Sequence, residues 1–385
     1  MTRSIMRIRG VFSRVLCVLT LVAATGALVP VSTAQAPTKH QTENVILVMI
    51  DGMRWQEVFR GADPELLEAI GPAMTNDEKQ RAAIARQRYA APTASERRKA
   101  LMPFLWSVVS SKGQLFGNRD LGSDSHVING LNFSYPGYSE TLTGLADPRV
   151  DSNDNVPNPN PTVFEWLNAK PEFAGKVAAF GAWNVFSGIF RSQKCGFVVN
   201  AGYDALTAIP PTPRLDLLNS LKQETVRVWP DEPFDPLPFH TAMEYLRIKK
   251  PRVLFVGLGE TDDWAHVGLY ADYLNAAFLA DDYLRQIWKL VQSMPAYRGR
   301  TTLIVLPDHG RGNGANWIDH GQKIPESAQT WMAFLGPDTS PLGERKQSQP
   351  VTESQIAATL ATMLGEDYRA SVPKSGAPIL DVLRR

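Results

Sequence analysis

Asn44-Val45-Ile46-Leu47-Val48-Met49-Ile50, followed at once by Asp51-Gly52, decides the fold class of this chain. Six apolar residues in a row, without polar alternation, read as a strand covered on both faces, the habit of parallel sheets. The Asp-Gly step supplies turn chemistry where the strand stops. The same grammar recurs at 177–182 (VAAFGA), 253–258 (VLFVGL), 301–306 (TTLIVL) and 331–335 (WMAFL). Helical patterns lie between these runs, at 101–111, 161–169, 215–226, 241–248, 270–293 and 353–364. Buried strands alternating with helices predict an α/β fold, a mostly parallel central sheet flanked by helices and joined by crossover connections. Residues 62–100, polar and rich in Ala, Arg and Glu, read as an insertion of one or two surface helices. Residues 229–238 (WPDEPFDPLP) read as a stiff loop. No linker separates two halves, so 37–385 is expected to be one domain.

The chain has 385 residues, with 40 Lys+Arg against 39 Asp+Glu and 44% hydrophobic residues. That hydrophobic share excludes a disordered chain, and the near-neutral charge gives no basic field for nucleic acid. At the N-terminus, Arg3, Arg7, Arg9 and Arg14 precede an apolar run from 15 to 31 and a small-residue exit, Ser32-Thr33-Ala34-Gln35-Ala36. This is the pattern of a secretory signal peptide over 1–36, with Ala34 the favoured cleavage point, and an uncleaved membrane anchor is the alternative. Its removal leaves 36 basic against 39 acidic residues, net −3, and Cys195 without an intramolecular partner. An exported protein, periplasmic or secreted, that has no disulfide relies on its core or on metals. No second apolar stretch is long enough to span a membrane.

Ligands of open α/β sheets gather beyond the carboxyl ends of the strands. Asp51 follows the first strand, Glu260-Thr261-Asp262-Asp263-Trp264-Ala265-His266 follows 253–258, and Asp308-His309-Gly310 follows 301–306. Asp262 and His266, four apart, share one face of a helical turn. A second Asp-His-Gly step, Asp319-His320-Gly321, comes eleven residues after the first. Each piece alone is as well explained by a turn or a surface pair. Together Asp51, Asp262, His266, Asp308, His309 and His320 offer three carboxylates and three imidazoles, a donor set for two divalent cations of zinc character, with manganese an alternative. Two metals roughly 3.5–4 Å apart clamp the attacking and leaving oxygens of an in-line phosphoryl displacement. Between the first two segments, Ser134-Tyr135-Pro136-Gly137-Tyr138-Ser139 places a hydroxyl before a proline able to open a helix.

In this order the motifs resemble the alkaline phosphatase superfamily, in particular its nucleotide pyrophosphatase/phosphodiesterase-like branch. The resemblance rests on Asp51 in VMIDGMRW, Ser134 two residues before Pro136, Thr143-Gly144, Asp262-x-x-x-His266, Asp308-His309-Gly310 and His320-Gly321, with the helix of 354–368 closing the fold. It implies that Asp262, His266 and His320 hold one metal and that Asp51, Asp308 and His309 hold the other. Ser134 is then the nucleophile of a double displacement through a phosphoseryl intermediate, with Ser139 its competitor. Asn155 stands at about the family's spacing for a donor to a phosphoryl oxygen, with Asn153 and Asn158 nearby. The substrate implied is a small phosphate ester.

Two other readings compete. A sulfatase of the same superfamily carries Cys or Ser in C/S-x-P-x-R, but the Arg position here is Tyr138. A non-catalytic phosphate-ester-binding protein would be expected to have lost one of the six ligands or the serine. A monoesterase needs extra positive charge, for which Arg54, Arg149, Arg191 and Arg311 are candidates. A diesterase needs an apolar slot, for which Trp55, Trp183, Trp264 and Tyr138 are candidates. The resemblance tilts the expectation toward diesters.

Overall fold

The computed structural model describes residues 40–69 and 74–383. The leader expected over 1–36 lies outside the described residues. Among the described residues, ten strands are β1 (Asn44–Ile50), β2 (Gln114–Phe116), β3 (Ser125–His126), β4 (Val177–Gly181), β5 (Val198–Ala201), β6 (Val253–Leu258), β7 (Thr301–Leu306), β8 (Met332–Leu335), β9 (Gly343–Glu344) and β10 (Val351–Thr352). Eight form one sheet in the order β5-β4-β6-β1-β7-β8-β2-β9, and β10 pairs with β3 apart from it. All pairings from β5 across to β7 are parallel; β8 runs antiparallel to both β7 and β2. The α/β class with a mostly parallel sheet is therefore what the chain adopts.

The unbroken apolar runs follow from where the sheet sits. In β1, Ile46, Val48 and Ile50 enter one hydrophobic cluster while Val45, Leu47 and Met49 enter the other. The first face is covered by the helices Pro236–Lys249 and Tyr270–Ser293. The second is covered by Ser134–Thr143, Val163–Asn168 and Ile356–Met363. Period-two side-chain alternation with both faces buried leaves no polar positions in such a strand.

Several boundaries differ from the sequence expectation for identifiable reasons. Residues 62–100 hold three helices rather than one or two, Pro64–Glu68, Asn76–Tyr89 and Ala94–Leu101, the last two opened by reciprocal capping boxes from Thr75/Glu78 and Thr93/Glu96. The proline-rich stretch is a loop only to Asp235, because Pro236 and Pro238 fall in the first turn of a helix, where a missing N–H costs nothing. The helical pattern at 101–111 is split: a helix ends at Leu101, and Leu105–Val109 adopts wider π-type turns. β2, β5 and β9, of three, four and two residues, were not expected, being too short to show a period.

Candidate metal centre

β1 lies between β6 and β7, with Ile50 beside Leu258 and Met49 beside Leu306. Parallel strands in near-level register deliver their carboxyl ends to one place, so Asp51, the helix Glu260–His266 and Asp308-His309 meet at one edge. His320 arrives from a loop after the short turn Gly314–Ile318 and is steadied by donation from Nδ1 to the Asn132 carbonyl, 3.2 Å away. Asn132 holds φ at 55°, a left-handed conformation that asparagine tolerates better than most residues. Ser134 is itself the first residue of its helix rather than the residue before it. Gly137 in that helix packs so closely that a Cβ there would come within 2.1 Å of the Asp308 carbonyl oxygen.

All six expected ligands and Ser134 are brought together. His309 Nε2 lies 3.4 Å from Asp51 Oδ1, 3.5 Å from Asp308 Oδ2, 3.9 Å from Asp262 Oδ1 and 3.4 Å from Ser134 Oγ. Its Nδ1 donates to the Gly310 carbonyl at 2.8 Å, which orients the ring and leaves Nε2 as the atom that faces the carboxylates. On the other side, His266 Nε2 is 2.8 Å from Asp262 Oδ2 and 3.0 Å from His320 Nε2, and His320 Nε2 is 3.8 Å from Asp262 Oδ1. Donor atoms of Asp51, Asp308 and His309 all lie within 4.8 Å of one another, as do those of Asp262, His309 and His320. His309 thus stands where the two groups adjoin, and His266 extends the second toward solvent.

The residues present fit divalent cations. Asp51 Oδ1 and Asp308 Oδ2 are buried acceptors with no hydrogen-bond partner, an arrangement that costs free energy unless a cation or donor meets them. Burial and then the Asp51 charge push the Asp308 pKa well above the carboxylate range. Burial opposes charge on His309, yet Asp308 and Asp51 outweigh it and hold that pKa up at about 9. The cluster therefore binds positive charge. At His320, burial and then the neighbouring His309, Arg311 and His266 push the pKa far down, leaving the neutral imidazole that ligates metals.

Three residues support this cluster in a role that the sequence pattern did not show. Tyr138 donates its hydroxyl to Asp51 Oδ2 at 3.0 Å, and burial, then Asp51, raise its pKa well above that of a free phenol. Thr261 Oγ1 donates to the Asp51 carbonyl at 2.5 Å. Arg311, 1% exposed, donates from Nη1 to Asp262 Oδ1, from Nε to the Trp317 carbonyl at 3.0 Å and from Nη2 to the Ile318 carbonyl.

The residues expected around the substrate sort differently. Asn155 is exposed, its Oδ1 accepts from Ser187 Oγ at 3.0 Å, and its Nδ2 faces the Asn184 carbonyl at 3.4 Å. It makes no hydrogen bond to Ser134. Asn153 Oδ1 accepts from the Tyr135 backbone amide, and Asn158 is buried with its side-chain amide donated to Ser139 Oγ. Ser139 is buried and its Oγ is engaged in that contact. Because the Tyr135 N–H is committed and Pro136 has none, only Ser134's own amide is left free at the helix start, fewer donors than the sequence led one to expect.

Of the arginines, Arg54 is a buried partner of Glu57, Arg149 pairs with Asp147, Arg191 lies 3.5 Å from Glu165, and Arg311 is committed as above. Trp55 is buried and Tyr138 serves Asp51. Trp183 and Trp264 stay partly exposed, and Trp264 packs on Trp229 and Phe234 with ring centroids 5.0 and 6.3 Å apart.

No family model and no curated protein matches the sequence. Solved structures do share its fold. A wild-type alkaline phosphatase, PafA, is similar at TM-score 0.56 and 10% identity over 91% of this chain and 100% of its own. A putative sulfatase from Bacteroides thetaiotaomicron VPI-5482 is similar at TM-score 0.53 and 14% identity over 89% of this chain and 75% of its own. The lipoteichoic acid synthase LtaP from Listeria monocytogenes is similar at TM-score 0.51 and 11% identity over 85% and 72%. The fold is that of alkaline phosphatase superfamily members.

Proposed function

We propose that this chain is an exported ester hydrolase of the alkaline phosphatase superfamily that cleaves phosphoric esters, diesters in preference to monoesters. Ser134 is its nucleophile, Asp51, Asp308 and His309 hold one divalent cation, and Asp262, His266 and His320 hold the other. The observation that carries this reading is the placement of Ser134 Oγ 3.4 Å from His309 Nε2, where the two ligand groups adjoin. Zinc or manganese bound there supplies Lewis-acid polarisation of the ester and lowers the pKa of a nearby hydroxyl.

The chain's own part is positional. The helix Ser134–Thr143 points its first residue at the ligand cluster, so Ser134 Oγ reaches phosphorus with the helix N-terminus behind it. Attack forms a phosphoseryl ester and expels the alcohol; water then cleaves that ester and regenerates the serine. Ser134's own amide and the Asn155 side chain, once turned from Asn184, are the donors to the equatorial oxygens. The preference for diesters rests on two facts. Arg54, Arg149 and Arg311 are each hydrogen-bonded to a carboxylate and Arg191 only approaches Glu165, so three of the four candidate forks are withdrawn from a dianionic phosphoryl group. The Trp264, Trp229 and Phe234 rings, on and beside the ligand-bearing helix, offer a surface for a second, apolar substituent.

The test is hydrolysis of bis-nitrophenyl phosphate, nitrophenyl phosphate and nitrophenyl sulfate by zinc-loaded protein, with metal content measured alongside. Diester turnover that falls roughly three orders of magnitude or more in Ser134→Ala, with zinc retained, is expected. Sulfate as the preferred substrate would replace the phosphoric reading with a sulfuric one. Inactivity on all three would leave a binding protein.

A further inference from the structure

Asp262 is the one ligand carboxylate whose two oxygens both have protein partners: Oδ1 accepts from Arg311 Nη1 and Oδ2 lies 2.8 Å from His266 Nε2. Asp51 Oδ1 and Asp308 Oδ2, across the centre, have none. Arg311 Nη2 also lies 3.3 Å from His266 Nδ1. A guanidinium can only donate, so in this contact Nδ1 accepts and the ring hydrogen sits on Nε2, directed at Asp262. The pair lies directly over Gly52, where a Cβ would come within 2.3 Å of Asp262 Oδ1 and 2.9 Å of Arg311 Nη1, so the absence of a side chain makes room for it. Trp317 and Ile318 hold the guanidinium from behind, so it is a fixed charge rather than a mobile one.

We infer that Arg311 makes the two cation sites unequal, occupying Asp262 so that Asp51, Asp308 and His309 load first and Asp262, His266 and His320 load second, at lower affinity. This rests on the two-cation reading above and goes beyond it. A cation entering the first group meets Asp51 Oδ1 and Asp308 Oδ2, neither of which holds a hydrogen bond to be broken. To enter the second it must replace a charge-assisted hydrogen bond on Asp262 and move the His266 ring hydrogen to Nδ1, against a donor. Arg311 is thus a positioning residue that sets the cation concentration at which the second site fills.

The experiment is calorimetric titration of the metal-stripped full chain with zinc, for wild type, Arg311→Met and Arg311→Lys. Wild type should bind in two phases separated by roughly tenfold or more in affinity, the scale of one charge-assisted hydrogen bond. Arg311→Met should tighten the weaker phase and leave the tighter one in place. A residue that only braced the loop would do the opposite, since its loss would weaken binding. Arg311→Lys, which keeps the charge without the fork, should tighten the weaker phase by less, and it is read alone if the Met variant does not fold. Two wild-type sites of equal affinity, or a weaker phase that both variants leave unchanged or loosen, would overturn the inference while leaving the hydrolase standing. One zinc in wild type and two in Arg311→Met would support it. One or none in every protein would sink the two-cation reading and this inference together, and the nitrophenyl ester assay would then report separately on the hydrolase.

Discussion

Tyr138 shows how a side chain with no chemistry of its own can set the behaviour of one that has. Its hydroxyl fixes which oxygen of Asp51 stays free, so Tyr138→Phe leaves the carboxylate able to rotate. Outer partners of metal ligands are commonly worth about 10–100-fold in affinity or activity, and the variant should lose that much in zinc affinity or kcat while keeping its fold. Unchanged zinc binding and turnover would mean that the strand alone places Asp51. That six candidate ligands would meet at one edge was legible in the sequence because each lies just past an apolar run or repeats an Asp-His-Gly step. Tyr138, Thr261 and Arg311 were not, because they join residues 87, 210 and 49 positions apart, and no local pattern encodes such a contact. Arg311 is only one of four candidate phosphoryl contacts in the sequence, since burial cannot be seen from spacing.

Helices in this molecule are tied down by buried carboxylates on their neighbours. Asp281, inside Tyr270–Ser293, accepts from the Phe104 and Leu105 amides at 2.7 and 2.8 Å and so caps the turns that begin there. Burial raises its pKa from 3.8 to about 7. A raised folded-state value means that its contribution is whole below the unfolded pKa and fades as pH climbs through about 7. The Tm advantage of wild type over Asp281→Asn should therefore be largest near pH 4 and narrow toward pH 8; a gap that is constant or widens would contradict this assignment. Glu57 accepts from Arg54, from Tyr270 at 2.8 Å and from Tyr273 at 3.3 Å, with no exposure. Glu57→Gln strands the Arg54 charge and should cost roughly 3–5 kcal/mol in urea unfolding. Among the strands, β1, β6 and β7 were legible residue for residue because both faces are buried. The antiparallel turn of β8 and the pairing of β2 and β9 at the sheet edge depend on partners far along the chain, which composition does not announce.

At the scale of the whole molecule, the parallel sheet converges three strand ends on one point and thereby collects carboxylates that repel one another. Cations that bind there stabilise the fold by mass action, so chelation should lower Tm by several degrees, equivalent to roughly 3–4 kcal/mol when metal is about a thousandfold above its Kd. A melting curve indifferent to chelator and to added zinc would show that the cluster holds itself together by shared protons. No helix among the described residues is long and apolar enough to cross a membrane. The close seat of Gly137 on the Asp308 carbonyl sets a limit on how this chain can diversify. Main chain rests on main chain between the helix of Ser134 and the segment of Asp308, so the gap from Ser134 to His309 behaves as a machined tolerance with no shim to exchange. Variants selected for new substrates should therefore carry their changes in the loops of 153–157, 183–194 and 229–234, and almost none along the seam itself.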